Sequence, residues 1–102
     1  MIIVYLTCAN DAEAKNISQT LLGAKLIACA RRAPVSSSYW WSGKINHDHE
    51  VLLMMETIEE KFDDINKMVG EIHSYEEHVM TAVSVFKTTA GVEQWLKETF
   101  AK

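Results

Sequence analysis

A Ser42-Gly43 pair, flanked by Tyr39-Trp40-Trp41 on one side and Lys44-Ile45 on the other, constrains the fold of this chain more than any other feature. Two residues between β-biased stretches leave room for one kind of connection, a tight hairpin turn in which glycine supplies the positive φ that most side chains resist. The middle of the chain is therefore committed to an antiparallel strand pair, with Val35 to Trp41 leading into the turn and a long return strand completed by Val51 to Met55. Pro34 has no amide hydrogen and is expected to interrupt the ladder between this strand and the apolar stretch Leu26 to Ala33.

The flanks add elements of alternating type. Ile2 to Thr7 is continuously apolar and β-branched, the pattern of a strand buried on both faces. Asn10 followed by Glu13 has the spacing of a helix cap, and Ala14, Ile17, Leu21 and Leu22 then recur at helical spacing until Gly23. Thr57 and Glu60 have capping-box spacing ahead of a second amphipathic helix marked by Phe62, Ile65, Val69 and Ile72. Val79 to Phe86 alternates as a fourth strand, and Val92, Trp95, Leu96 and Phe100 predict a short C-terminal helix.

Strand, helix, strand, strand, helix, strand, helix is the order of a split βαβ fold of the α+β class, βαββαβ plus a C-terminal helix. Right-handed crossovers then place both long helices on one face of a four-stranded antiparallel sheet. No repeat or linker divides the chain, so residues 1–102 are read as one domain. The other face of the sheet has no helix to cover it. Yet Ile2 to Leu6 is apolar at every position, and Trp40 and Trp41 point to opposite faces, so burial against further subunits is expected.

Composition narrows the function. Ten basic against fourteen acidic residues give a net charge of -4, and Arg31-Arg32 is the only adjacent basic pair, so nucleic acid is not an expected ligand. No apolar run approaches the roughly 18 residues of a membrane span, and Met1 to Asp11 lacks the basic start and cleavage site of a secretory leader. The chain is thus read as neither spanning nor secreted. Two cysteines, Cys8 and Cys29, in apolar strand-like sequence suit the reducing cytoplasm.

Several strings across nearly the whole chain resemble the CutA divalent-cation tolerance family. They are Met1-Ile2-Ile3-Val4-Tyr5-Leu6-Thr7, Leu26-Ile27-Ala28-Cys29-Ala30, Tyr39-Trp40-Trp41-Ser42-Gly43-Lys44-Ile45, Glu50-Val51-Leu52-Leu53, Glu56-Thr57, His73-x-Tyr75-Glu76 and Trp95-Leu96. The resemblance implies a ferredoxin-like protomer in a tight homotrimer, divalent metal binding with copper foremost, and a role in metal tolerance. Similarity to the signalling trimers of the PII type further implies a small ligand at subunit clefts. The copper site proposed in some members uses a cysteine at the end of the first strand, which falls at Leu6 here, and a histidine pair, which falls at Ile72-His73. Only His73 carries over, with Glu76 as the nearest carboxylate in sequence. Both prolines of the family's His-Pro-Tyr-Glu-x-Pro-Glu string are replaced, the stretch reading His73-Ser74-Tyr75-Glu76-Glu77-His78-Val79. The family's bend at Pro34 is shortened, which leaves the register and any bulge of that strand open.

Read from the residues themselves, His47 and His49 stand two apart on a strand, hence on one face, and form a competing pair for copper, nickel or zinc. The alternative is a solvated hairpin face. His73, Tyr75, Glu76 and His78 fall on the loop before the fourth strand, with a helix-end role as the alternative for His73 and the one preferred for His78. Cys8 near a helix N-terminus is expected to have a lowered thiol pKa, whereas Cys29 is expected to be inert. Tyr39, Trp40 and Trp41 are assigned to core or interface in preference to a ligand cleft. A small phosphate-ester or acylphosphate hydrolase of the same fold is the alternative function, with Arg31-Arg32 as its only anion-binding candidate. No Gly-rich loop follows the first strand, and no Ser-His-Asp order, Walker loop or zinc-protease helix is present, so the chain is not read as an enzyme.

Overall fold

The computed structural model describes residues 1–101. Its elements are β1 (Ile2–Cys8), α1 (Asp11–Gly23), β2 (Cys29–Trp41), β3 (Lys44–Thr57), α2 (Phe62–Ile72), β4 (Met80–Ser84) and α3 (Val92–Phe100), with a 3-10 turn, Glu59–Lys61, leading into α2. The strands form one antiparallel sheet in the order β2-β3-β1-β4. This is the α+β, ferredoxin-like arrangement that the element order predicts.

Strand alternation divides the sheet into two faces. Val4, Leu6 and Cys8 lie opposite Met55, Leu53 and Val51, and these side chains pack with Ala14, Ile17 and Leu21 of α1 and Ile65 and Val69 of α2 to form the core. On the other face Ile3, Tyr5 and Thr7 remain half-buried. The continuous apolar run of β1 is therefore sealed on one face only within a single protomer.

Ser42 and Gly43 both have positive φ, 53° and 76°, the backbone of a type I′ turn whose twist suits two long strands. Pro34 does not interrupt β2. The register with β3 is unbroken from Cys29 opposite Glu56 to Trp41 opposite Lys44, and no bulge occurs. β2 is an edge strand, where alternate amides point away from the ladder and a proline at such a position removes no bond. The strand starts at Cys29 and not at Leu26, because Lys25 (φ 55°) and residues 26–28 form a turn with Ile27 buried beneath it.

Two other expectations are corrected. Thr57 does not cap α2; it ends β3, fully buried, and its hydroxyl donates to the Leu26 carbonyl at 2.6 Å. The helix begins later, at Phe62, without a side-chain cap. β4 is shorter than predicted, leaving Val79, Val85 and Phe86 outside the strand. The predicted cap of α1 is present, the Asn10 Oδ1 accepting from the Glu13 amide at 2.8 Å.

Strand lengths are unequal. β1 pairs with residues 51–57 of β3, so residues 44–50 pair with β2 alone. The β2–β3 hairpin thus extends past the sheet as a two-stranded ribbon, and the molecule measures 45 × 27 × 21 Å.

Candidate functional site

The C-terminal end of β1, the start of α1 and the loop after α2 meet at one place. His73 ends α2, its amide donating to the Val69 carbonyl, and its side chain is wholly buried. The ring Nε2 lies 2.8 Å from the Thr7 carbonyl oxygen, and the Tyr75 amide donates to Nδ1 at 3.0 Å. A carbonyl can only accept and an amide N–H can only donate, so these partners fix a neutral ring with its proton on Nε2. Neither nitrogen has a lone pair free in this arrangement.

Glu13 completes the junction. One carboxylate oxygen accepts from the Ala9 amide at 2.9 Å and the other from the Ser74 amide at 2.8 Å, while His73 Nε2 stands 3.8 Å away. Burial raises the carboxyl pKa, but the bonds from Ala9 and Ser74 outweigh it and hold the group below its ordinary value. Glu13 therefore clasps the β1–α1 turn to the α2–β4 loop across 61 residues of chain.

Cys8 lies in the same junction, and Cys8, Glu13 and His73 have ligand atoms within 4.8 Å of one another. The donor types suit a transition metal, but the surroundings do not. The Cys8 thiol is fully buried and pushed up to about 12 by burial and by the charges of Glu13 and Glu50, opposite to the lowering expected from the helix N-terminus. Both His73 nitrogens and both Glu13 oxygens already have backbone partners. As folded, the trio is a structural clasp. Cys29 begins β2, half-buried, and both cysteines are free.

Glu76 stands outside this group, exposed on the loop. It lines, with Tyr39, Trp41, Glu50 and Tyr75, a cavity of about 520 Å³ on the helix-free face of the sheet. Glu50 is buried there and accepts from the Tyr75 hydroxyl at 2.6 Å, which, after burial itself, raises the phenol pKa. The aromatic residues expected in core or interface are largely open in one protomer, Trp40 being 72% and Trp41 54% exposed. His78 stacks on His73, ring centroids 5.7 Å apart, and its Nε2 lies 2.8 Å from Asn66 Oδ1 on α2.

His47 and His49 are exposed on one face of the ribbon. His47 Nδ1 is 2.9 Å from the Ser38 hydroxyl, and His49 Nδ1 is 3.4 Å from that of Ser36. Asp48 points to the opposite face and accepts from the Tyr39 hydroxyl. The two arginines considered for anion binding are both ion-paired, Arg31 with Glu56 and Arg32 with Asp11.

Sequence reading missed the roles of Glu13, Glu50 and Tyr75. Glu13 had a signal, its place three residues after Asn10, which marks a cap but not the second bond to Ser74. No helix among the described residues is long and apolar enough to cross a membrane.

Comparison with known proteins agrees with this architecture. The family profile described as CutA1 divalent ion tolerance protein matches residues 2–99. The divalent-cation tolerance proteins CutA of Pyrococcus horikoshii and Thermotoga maritima are each 34% identical over 98 residues, covering 96% of this chain and 96% and 97% of theirs. A crystal structure of a CutA1 variant from P. horikoshii superposes with a TM-score of 0.94 at 33% identity over the full length of both chains. A CutA from Archaeoglobus fulgidus, described as periplasmic, gives 0.93 at 32% identity, covering 97% of this chain and 98% of that one. With the family profile matched over residues 2–99 and relatives 34% identical along nearly its whole length, this chain belongs to the CutA1 divalent ion tolerance family.

Proposed function

We propose that the protein works as a homotrimer that binds a divalent cation, copper(II) foremost, in the cytoplasm, as a metal-responsive and ligand-responsive module and not as a catalyst. The observation that carries the assembly is the uncovered surface. Ile3, Tyr5 and Val83 line a sheet face with no helix over it, and the ribbon that stands beyond the sheet continues that face with Tyr39 and Trp41. A two-stranded ribbon is marginal by itself in water, and apolar groups on this scale are ordinarily buried against other chains. Closed rotational symmetry supplies such cover with identical surfaces, and the clefts it creates between subunits give a small ligand a place to report on assembly.

The cation part of the reading is supported by the family's description and by the imidazoles of this chain. Imidazole is a ligand for copper, nickel and zinc in preference to magnesium or calcium. Two free cysteines suit a reducing compartment. The inherited pair, His73 and Glu76, does not fit an ion without a change in the loop, since His73 has both nitrogens bonded and Glu76 faces the cavity. Sedimentation velocity at micromolar protomer tests the assembly. A single trimeric species is expected, and a folded, soluble monomer would overturn the reading.

A further inference from the structure

We propose that His47 and His49 form a two-imidazole site for a first-row divalent cation on the outer part of the β2–β3 hairpin. The proposal rests on the cation-binding reading above and names the residues that do the binding. Residues two apart on a strand lie roughly 7 Å apart along one face, a separation that two imidazole side chains can close around one ion. The strand is held in register by β2, and each histidine faces a serine directly across the ladder, Ser38 opposite His47 and Ser36 opposite His49. Each serine hydroxyl is placed at Nδ1, at 2.9 and 3.4 Å respectively. A hydroxyl that accepts the Nδ1 proton holds the tautomer whose Nε2 lone pair is available, the part that a carboxylate, backbone carbonyl or water commonly plays beside a metal-binding histidine. Among the described residues neither Nε2 has a hydrogen-bond partner.

The contrast with His73 decides between the two sites. Coordination through His73 Nε2 would break its bond to the Thr7 carbonyl and move the proton to Nδ1, against the Tyr75 amide; coordination through Nδ1 would displace that amide. The hairpin pair loses nothing comparable. In the protomer it is exposed, on the face of the ribbon opposite Tyr39 and Trp41, so an ion reaches it without local opening, and Asp48 between the two projects to that other face, so the protein ligands are imidazole only. Such a donor set selects copper(II), then nickel(II) and zinc(II), by the ordinary order of affinity.

The test is a titration of the full-length protein with copper(II) alone in a non-coordinating buffer. Calorimetry gives the stoichiometry, and electron paramagnetic resonance reads the nitrogen ligands. Saturable binding is expected in the unchanged protein and in His73→Ala, and its loss in the double variant His47→Ala, His49→Ala. Each single change should weaken binding at least about tenfold, the low end for losing even an outer-shell partner. Retained binding in the double variant overturns the proposal, and if His73→Ala alone abolishes it the cation reading stands with a different site. No saturable copper binding in the unchanged protein overturns both. Should His73→Ala fail to fold, the double variant decides alone, since it alters only exposed side chains.

Discussion

Replacing Glu13 with glutamine tests the clasp at its centre. The carboxylate accepts one backbone amide on each oxygen, from Ala9 at 2.9 Å and Ser74 at 2.8 Å. An amide side chain keeps one oxygen, so one of these N–H groups must face an NH2. Hydrogen bonds to a charged group contribute about 1.5–3 kcal/mol, and a neutral replacement about 1 kcal/mol. Losing one bond and weakening the other would give about 2–5 kcal/mol in a dry site, but water reaches the Ser74 side of this one, and we expect about 1.5–3 kcal/mol. Urea unfolding at neutral pH and equal protomer concentration measures it, with an unchanged slope showing that the folded state is otherwise the same. The pH dependence supplies a second reading. Glu13 is held below its ordinary pKa, so its contribution is complete above the unfolded carboxyl value of about 4.3 and is lost as pH falls through the folded value. The gap between the two proteins should therefore narrow in acid. A loss under about 0.5 kcal/mol, the scatter of ordinary surface substitutions, or a gap that widens in acid, would refute the clasp.

Two further outcomes follow from the backbone and the thiols. Gly43→Ala should lower stability by about 1–2 kcal/mol, because its φ of 76° is costly for a side chain while nothing lies within 4 Å of the added carbon; thermal unfolding measures this, and an unchanged midpoint would contradict it. Iodoacetamide at pH 8 should label Cys29 in the folded protein and spare Cys8, whose thiol is buried and pushed up to about 12, with Cys8 labelled only in denaturant; peptide mass spectrometry reads the difference. Because that thiol resists ionisation in the fold, its contribution is complete below the ordinary thiol range near 8.5 and declines as pH rises toward 12.

Features whose causes are local were legible in the sequence, and features that depend on distant partners were not. The Ser42-Gly43 turn needs only two residues of positive φ between β-formers, and the Asn10 cap needs only the amide three residues on. Thr57 has equally good cap spacing, yet its hydroxyl finds the Leu26 carbonyl 31 residues away and α2 starts without it. Pro34 reads as a break because its effect depends on whether the strand is central or at an edge, which sequence spacing does not reveal. At the candidate site, resemblance points to His73 as a residue, but the proton on Nε2 is set by Thr7 and Tyr75, 66 residues away and 2 residues away. Its availability to a metal is thus a tertiary property. His47 and His49 were visible as a pair from their spacing, and only the opposing serines distinguish them from a solvated face.

The unequal strands make β3 one continuous strand with two local stabilities. Amides in residues 51–57 sit inside the sheet between β1 and β2, where exchange with solvent requires unfolding of the whole domain. Those in residues 44–50 are held by β2 alone, and in an isolated protomer they would open by fraying from the Ser42-Gly43 end. Assembly that covers the ribbon would tie this outer segment to the rest, so that hydrogen exchange along a single strand, slow at one end and dependent on protomer concentration at the other, reports association from within one chain.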